Sequence, residues 1–181
     1  QAFFGFARHG IVPDMITMGK PMGNGIPISG LAAKEDVLAA FSDKLPYFNT
    51  FGGNPVSIAA AQAVLKYIKD ENLQEHCKKA GAALLKALKE VQERHPESVG
   101  DVRGAGLFLG FEFVKNDGNK TPDKDMALNV IEMLRDEHIL TSVIGHYGNI
   151  LKLRPPMVFS ENDIDWFATS LDKCITKLEN K

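Results

Sequence analysis

The stretch DMITMGKPMGNGIP, residues 14–27, joins a short apolar run to a loop with three glycines and two prolines. The run DMITM (14–18) is predicted to be a buried strand, because it is short, apolar and bounded by Pro13 and Gly19. The nine residues after it suit no regular element. Lys20 therefore follows the carboxyl end of a predicted strand, which is where α/β sheets bind ligands.

The rest of the first half is predicted to contain one more strand, two helices and a second Gly-rich loop. We expect the strand over 29–33, a short helix over 34–41 and the loop YFNTFGGNP over 47–55. Asn54 and Pro55 suit the N-cap and the first turn of an Ala-rich helix that runs to residue 70. This helix is apolar on nearly every face, so we expect it to be buried in a large interface.

The second half is predicted to be an α+β unit, in which helices lie beside a small sheet. Apolar residues at alternating spacings of three and four predict amphipathic helices, whereas alternation around a glycine predicts a strand. The predicted helices are 72–94, 125–138 and 162–178, and the predicted strands are 107–114 and 150–154.

The composition excludes several classes of protein. The 181 residues carry 21 Lys+Arg and 23 Asp+Glu, a net charge of −2, without a basic cluster. We therefore expect neither nucleic acid nor an anionic membrane as the main partner, and no apolar run approaches the roughly 20 residues of a transmembrane helix. Cys77 and Cys174 lie far apart and the five histidines lack ligand spacing, so we expect neither a disulfide framework nor a metal site.

Two residues in the Gly-rich loops are candidates for chemistry. The amine of Lys20 can form a Schiff base with an aldehyde, although an exposed lysine after a strand is equally an ordinary surface residue. The hydroxyl of Thr50 lies beside Gly52 and Gly53, where it can donate to a phosphate oxygen while the bare backbone approaches closely. The alternative for Thr50 is a role in the turn alone.

Lys152 and Arg154 form a pair of cations on the strand ILKLR (150–154). Their i, i+2 spacing places both on one face, opposite Leu151 and Leu153. Two cations on one face repel unless an anion or carboxylates neutralise them. A substrate carboxylate or phosphate is one explanation, and a charged edge strand that avoids aggregation is the other.

Four segments, taken together, resemble the class III aminotransferases, which are pyridoxal-phosphate enzymes of fold type I. They are GIVPDMITMGKPMGNGIPISGLAAKEDV (10–37), YFNTFGGNPVSIAAAQAVL (47–65), GDVRGAGLFLGFEFV (100–114) and ILKLRPPMVFSENDID (150–165). The resemblance runs in order through nearly the whole chain. Within the family, the sequence most resembles the alanine–glyoxylate aminotransferase 2-like branch, which includes the ethanolamine-phosphate and phosphohydroxylysine phospho-lyases.

The resemblance implies an α/β fold and a role for each Gly-rich loop. Residues 1–70 would be the end of the large cofactor-binding domain and 71–181 the small α+β C-terminal domain. Lys20, in PDMITMGK, would be the lysine that binds pyridoxal 5'-phosphate as a Schiff base. Thr50, in TFGGNP, would contact the cofactor phosphate of the neighbouring subunit, which implies a homodimer with shared active sites.

The implied activity is transfer of an amino group from an amine or amino acid to a keto acid. A phospho-lyase acting on a phosphoethanolamine-like substrate is an alternative, because Lys152 stands where many family members have the arginine of R-x-x-P-P that clamps a carboxylate. Lysine lacks the planar fork of arginine, so either Arg154 takes over that role or the usual carboxylate is not recognised. A non-catalytic relative that acts through its dimer surface is a further alternative.

The resemblance also implies that the chain is the back portion of a protein more than twice as long. The Asp that pairs with the pyridine nitrogen, the ring-stacking aromatic residue and the first phosphate-binding loop would precede Gln1. We therefore expect the isolated 181 residues to be inactive. Cytoplasm is the default location in the absence of a targeting segment, although a missing N-terminus would also remove a mitochondrial presequence.

Overall fold

The chain folds into two compact units, the first ending at Gln74 and the second beginning at Glu75. This is seen in a computed structural model that describes residues 2–180. Each unit has its own sheet: two strands in the first and four in the second.

The first unit contains the predicted strands and helices. Strands β1 (Met15–Met18) and β2 (Gly30–Ala33) pair antiparallel, and helices α1 (Glu35–Ser42) and α2 (Pro55–Asp70) follow. The Asn54 side chain caps α2 by accepting hydrogen bonds from the backbone N–H groups of Val56 and Ser57, as predicted. Two 3₁₀ helices, Gly5–His9 and Lys20–Gly23, complete the unit.

The expected burial of the first unit is not found within the described residues. The prediction that DMITM is buried is wrong for this chain: β1 alternates between exposed and half-buried residues, and Met15 is 50% exposed. Helix α2 likewise has no buried residue. The physical reason is that a two-stranded ribbon and two helices supply no second layer over these apolar faces.

The second unit is the predicted α+β arrangement. Its strands β3 (Val99–Ala105), β4 (Phe108–Phe113), β5 (Ser142–Ile144) and β6 (Ile150–Leu153) form an antiparallel sheet in the order β3-β4-β6-β5. Its helices are α3 (Leu73–Arg94), α4 (Lys124–Asp136) and α5 (Glu161–Glu179). Strands β3 and β5 were not predicted from the sequence.

One face of this sheet is buried under the helices. Alternate strand residues enter a single apolar cluster, while their neighbours face outward. The cluster combines Val102, Leu109, Phe111, Phe113, Leu151 and Leu153 from the strands with Leu84, Leu88, Val130, Leu134, Leu171 and Ile175 from the helices. The alternation places Lys152 on the outward face of β6, between the buried Leu151 and Leu153.

A polar cluster joins the end of α3 to α5. His95 is only 5% exposed, and its Nδ1 and Nε2 lie 2.7 Å from Glu179 Oε2 and 3.1 Å from Asp172 Oδ1. Arg94 Nε donates to the same Asp172 oxygen at 2.7 Å. Partial burial raises the pKa of Asp172, but the hydrogen bonds from Arg94 and His95 outweigh it, so the pKa of this carboxyl lies below its ordinary value.

Replacing Asp172 with Asn should lower the free energy of unfolding at neutral pH by about 1 kcal/mol, because Arg94 and His95 lose a charged partner. A carboxyl with a lowered folded-state pKa stabilises the fold above its ordinary pKa of 3.8, and this contribution is lost as the pH falls through the folded-state value. The difference between wild type and D172N should therefore shrink below about pH 4. Urea titrations followed by the fluorescence of Trp166, the single tryptophan of the 181 residues, measure the free energy of unfolding of wild type and D172N at each pH.

Asp165→Asn is the matched control for this experiment. Asp165 is exposed on the same helix, and its side chain makes no ion pair with any residue between 2 and 180. D165N should change the free energy of unfolding little at either pH. If the free energies of unfolding of wild type and D172N differ by the same amount at neutral and acidic pH, the role assigned to Asp172 is contradicted.

Candidate active site

Lys20 lies one residue after β1, at the start of the 3₁₀ helix Lys20–Gly23. Its backbone is in the left-handed region, with φ 46°, which is uncommon for a residue with a Cβ and is one of the features that cluster at functional sites. Within the described residues its side chain makes no hydrogen bond or ion pair, and it is exposed. The Lys20 amine is therefore available to a ligand.

Lys20 lines a cleft of about 520 Å³ together with the second Gly-rich loop. The 3₁₀ helix that begins at Lys20 packs against α2, and this packing brings the loop before α2 to the lysine. Polar groups in the lining come from Ser29, Asn49, Asn54 and Ser57, and apolar groups from Pro27, Ile28, Phe51 and Ile58. The volume and the mixed lining are typical of small-molecule sites.

Thr50 is in the same loop but does not line this cleft. It is a central residue of a tight turn, in which Gly52 N donates to Asn49 O at 3.3 Å. The Thr50 side chain is exposed and has no hydrogen-bond partner among residues 2–180. Its backbone neighbours Asn49 and Phe51 line the Lys20 cleft, whereas Thr50 itself is not among the lining residues.

Lys152 and Arg154 line a second cleft, of about 540 Å³, which lies entirely within the second unit. Neither side chain makes an ion pair or hydrogen bond within residues 2–180. The other lining groups are the hydroxyls of Thr141 and Ser142, the ring of His138 and an apolar wall that includes Trp166 and Phe159. Both cations are thus free to bind an anion. This favours a substrate carboxylate or phosphate as the explanation of the pair over an edge strand that is charged to avoid aggregation.

Among the described residues that line this cleft, Asp163 is the one carboxylate, and it is hydrogen-bonded to the start of α5. Asp163 Oδ2 accepts hydrogen bonds from Ser160 N at 2.8 Å and from Ser160 Oγ at 2.6 Å. The first of these, together with Asp163 N donating to Ser160 Oγ at 3.3 Å, forms the capping box of α5. These hydrogen bonds hold the pKa of the Asp163 carboxyl below its usual value. The Asp163 carboxylate is therefore ionised, but its hydrogen bonds to Ser160 hold it at the N-terminus of α5.

Arg103 is held by carboxylates and does not take part in either cleft. Its Nη1 lies 2.7 Å from Asp101 Oδ2 and 2.7 Å from Glu112 Oε2 on the outward face of β3 and β4. The hydrogen bonds that Arg103 donates to Glu112 and Asp101 raise the pKa of Arg103 above its ordinary value. Arg103 therefore links β3 to β4 by ion pairs.

The described residues contain no group of three or more His, Cys, Asp or Glu side chains that could hold a metal ion. None of the helices found between residues 2 and 180 combines the length and apolarity that a membrane span requires.

The sequence analysis missed Asn49, Ser29 and Ser57 as parts of the site. Asn49 had a usable signal, because asparagine is favoured at the first position of a turn, and here it begins the turn before Gly52-Gly53. Ser29 and Ser57 carried no comparable signal, since the pairing of β1 with β2 brings Ser29 near Lys20 and the packing of the 3₁₀ helix against α2 brings Ser57 there.

Two known relatives match almost the whole chain. The Caenorhabditis elegans protein named ethanolamine-phosphate phospho-lyase homolog 1 is 45% identical over 168 residues, which cover 92% of this chain and 36% of the relative. The Arabidopsis thaliana protein named alanine–glyoxylate aminotransferase 2 homolog 2, mitochondrial, is 37% identical over 176 residues, which cover 97% of this chain and 36% of the relative. The chain thus spans about a third of the length of these proteins.

A solved structure shows the same fold. It is a phospholyase from Arthrobacter in complex with phosphoethanolamine, 37% identical, with a TM-score of 0.91 over 96% of this chain and 41% of that one. The predicted fold class, an α/β transferase of fold type I with an α+β unit, is confirmed by this similarity.

The family model described as aminotransferase class-III matches residues 2–175, and that range includes both Gly-rich loops and both clefts. The chain belongs to the class III aminotransferase family.

Proposed function

We propose that this chain supplies the reactive lysine and part of the substrate-binding surface of a pyridoxal-phosphate-dependent aminotransferase. The enzyme would transfer an amino group from an amine or amino acid to a keto acid. The observation that carries the proposal is the placement of Lys20: an unpaired amine on a left-handed backbone, in a cleft that the loop before α2 completes. Residues 1–70 would belong to the cofactor domain and 71–181 to the small domain.

The residues around Lys20 fit pyridoxal 5'-phosphate. The lining offers one primary amine, two serine hydroxyls and two side-chain amides beside apolar groups, in a cleft of about 520 Å³. A primary amine is the group that bonds covalently to an aldehyde. The polar groups suit a phosphate and a ring hydroxyl, and the apolar groups suit the faces of a ring.

Lys20 would have two tasks in this site. When bound, the cofactor supplies an aldehyde that reacts with amines and a ring that withdraws electrons from the bond to be broken. Lys20 Nζ would hold that aldehyde until a substrate amine replaces it, and the released amine would then move a proton at the substrate carbon as a general acid–base. The fixed backbone at Lys20 supports both tasks, because it limits where Nζ can reach.

Thr50 would act in the other subunit of a homodimer. Its hydroxyl is exposed and does not line the cleft of its own Lys20, which supports a contact to the cofactor phosphate of the partner. The exposed aromatic residues beside it, Tyr47, Phe48 and Phe51, are typical of an interface.

Lys152 and Arg154 would bind the anionic end of the substrate. Both are unpaired in a cleft with hydroxyl and imidazole groups, and a charge-assisted hydrogen bond to either cation is strong where water is excluded. Lysine is a point charge, so Lys152 alone does not impose the bidentate geometry that favours a carboxylate.

A phospho-lyase is the second candidate function. Lys152 at the position of the family's carboxylate-clamping arginine favours it, and two of the similar proteins carry phospho-lyase or phospholyase names. In that reaction the same residues would bind a phosphate, which would leave from the substrate carbon next to the one that bears the amine. The cytoplasmic location expected from the sequence stays a prediction, and one similar protein is named as mitochondrial.

Reduction of the full-length protein with borohydride in the presence of pyridoxal phosphate should attach the cofactor to Lys20, because a reduced carbon–nitrogen bond is permanent. Digestion and mass spectrometry of the peptides locate the adduct. Lys44→Ala is the matched control, since Lys44 lies in the same unit and its side chain has no hydrogen bond or ion pair in the described part of the chain. It should leave the adduct in place, whereas Lys20→Ala should abolish it.

An adduct on another lysine, or none on wild type, would overturn the enzymatic proposal. The absence of any adduct together with normal dimer formation would instead support the non-catalytic relative that the sequence left open.

Lys152→Ala should raise the KM for an anionic amine substrate by roughly tenfold or more, because a charge-assisted hydrogen bond is lost, while a neutral amine of similar size should be affected little. Wild type and variant are compared with an amino acid plus a keto acid, and separately with phosphoethanolamine without any acceptor. Amine transfer is measured in the first assay and free phosphate in the second. Lys177→Ala, at an exposed lysine of α5, is the control.

Keto-acid-dependent amine transfer by wild type supports the aminotransferase, and phosphate release without an acceptor establishes the second candidate instead. An unchanged KM for the anionic amine in Lys152→Ala would show that the second cleft does not bind the substrate anion.

A further inference from the structure

Asn49 makes more hydrogen bonds than any other side chain in the loop that contains Thr50, as far as residues 47–55 are described. Its Oδ1 accepts from Phe51 N at 3.3 Å and from Gly52 N at 3.0 Å. Its backbone oxygen also accepts from Gly52 N, at 3.3 Å. The side chain thus closes an Asx-type turn over the two residues that follow it.

A second contact ties Asn49 to the body of the first unit. Asn49 Nδ2 donates to the Tyr47 hydroxyl at 3.0 Å, and the Tyr47 ring packs edge-on against Phe41 near the end of α1, with 6.3 Å between ring centroids. Both ends of the amide are therefore in use, so its orientation is determined by its partners.

Gly52 leaves the space that the Asn49 side chain occupies. A Cβ on Gly52 would lie 2.7 Å from Asn49 Nδ2 and 2.8 Å from its Cγ. No side chain fits there unless Asn49 moves away from its hydrogen bonds. The bare backbone at Gly52 is thus needed for the position of Asn49 as well as for the turn.

These contacts orient Thr50, although none of them involves its side chain. Thr50 is the first of the two central residues of the turn, and its hydroxyl is exposed without a partner among residues 2–180. An exposed turn without such a clamp would sample several backbone conformations, and a ligand that needs one of them would bind more weakly.

We propose that Asn49 is a positioning residue for the cofactor phosphate: it presets the turn so that the Thr50 hydroxyl meets the phosphate without further ordering. This inference rests on the proposed function, in which Thr50 donates to that phosphate. Asn49 also lines the cleft of its own Lys20, but both ends of its amide are engaged by Tyr47, Phe51 and Gly52. Its main effect on cofactor affinity would therefore pass through Thr50.

The substitutions that separate this role from others follow from its hydrogen bonds. Asn49→Ala removes the acceptor for both N–H groups and the donor to Tyr47. Asn49→Ser keeps a short side-chain acceptor that can form a similar turn. Gly52→Ala leaves the Asn49 residue intact but displaces its side chain. Thr50→Ala removes only the hydroxyl.

The test is a double-mutant cycle on the full-length dimer freed of cofactor. The dissociation constant for pyridoxal phosphate is measured for wild type, N49A, T50A and N49A/T50A, and the phosphorus NMR shift of the bound phosphate is recorded. T50A should weaken binding roughly 10- to 100-fold, as expected for one hydrogen bond to a charged group. N49A should show most of that loss, and the double variant should bind no more weakly than T50A.

Two further variants keep the test decisive. N49S should recover most of the wild-type affinity. G52A should bind as weakly as N49A and should have little further effect in the N49A background, where the close contacts with Nδ2 and Cγ are removed and only the Cβ of residue 49, at 3.2 Å, remains. Asn119→Ala, in an exposed loop of the second unit, is the control, because its side chain makes no hydrogen bond within the described residues. Equal melting temperatures of the cofactor-free variants show that the turn, and not the fold, has changed.

The outcomes distinguish this inference from the proposed function. If T50A binds weakly but N49A binds like wild type, or if the two effects add in full, the positioning role is wrong while the role of Thr50 stands. If T50A binds like wild type, the role of Thr50 in the proposed function is wrong, and the inference about Asn49 falls with it.

Discussion

The left-handed backbone at Lys20 is the constraint on which the candidate active site depends. Gly19 is extended before it, and Lys20 is the first residue of a 3₁₀ helix whose second residue is Pro21. Gly23 ends that helix and is buried, with Ile28 Cγ2 only 3.1 Å from where its Cβ would be. Because this short helix packs against α2, the same contact that fixes the Lys20 amine also places the loop before α2 beside it.

The two units contribute to function in different ways. The second has an apolar core of its own, from which the outward face of β6 and the end of that strand present two unpaired cations. The first has many exposed apolar residues, including Phe48 and Phe51, and almost none that are buried. Since the chain spans about a third of its relatives' length, those faces would be covered in the homodimer proposed above, in which Thr50 serves the partner's cofactor.

Elements with strong local signals were predictable from the sequence. The Asn54-Pro55 start of α2 and the three-and-four spacing of α3 and α5 located these helices, because capping and amphipathicity are local properties. Strand β3 has two glycines and two charged residues in its pattern, so its sequence alone does not indicate a strand, and its residues pair with β4. Burial of β1 was mispredicted, because burial depends on layers that a local pattern does not contain. Lys20 and Thr50 were predicted from the motifs PDMITMGK and TFGGNP. The hydrogen bonds of Asn49 could be recognised only in the three-dimensional structure of the turn.

The central claim is that Lys20 and Thr50 of one chain serve two different active sites. Full-length heterodimers of one Lys20→Ala subunit and one Thr50→Ala subunit test it most directly, by counting the sites that bind pyridoxal phosphate with wild-type affinity. If Thr50 acts across the interface, the Thr50→Ala subunit keeps its own Lys20 and receives the intact threonine of its partner, so each heterodimer should have one such site. Heterodimers without any wild-type site would show that both residues act within one chain, and would contradict the account.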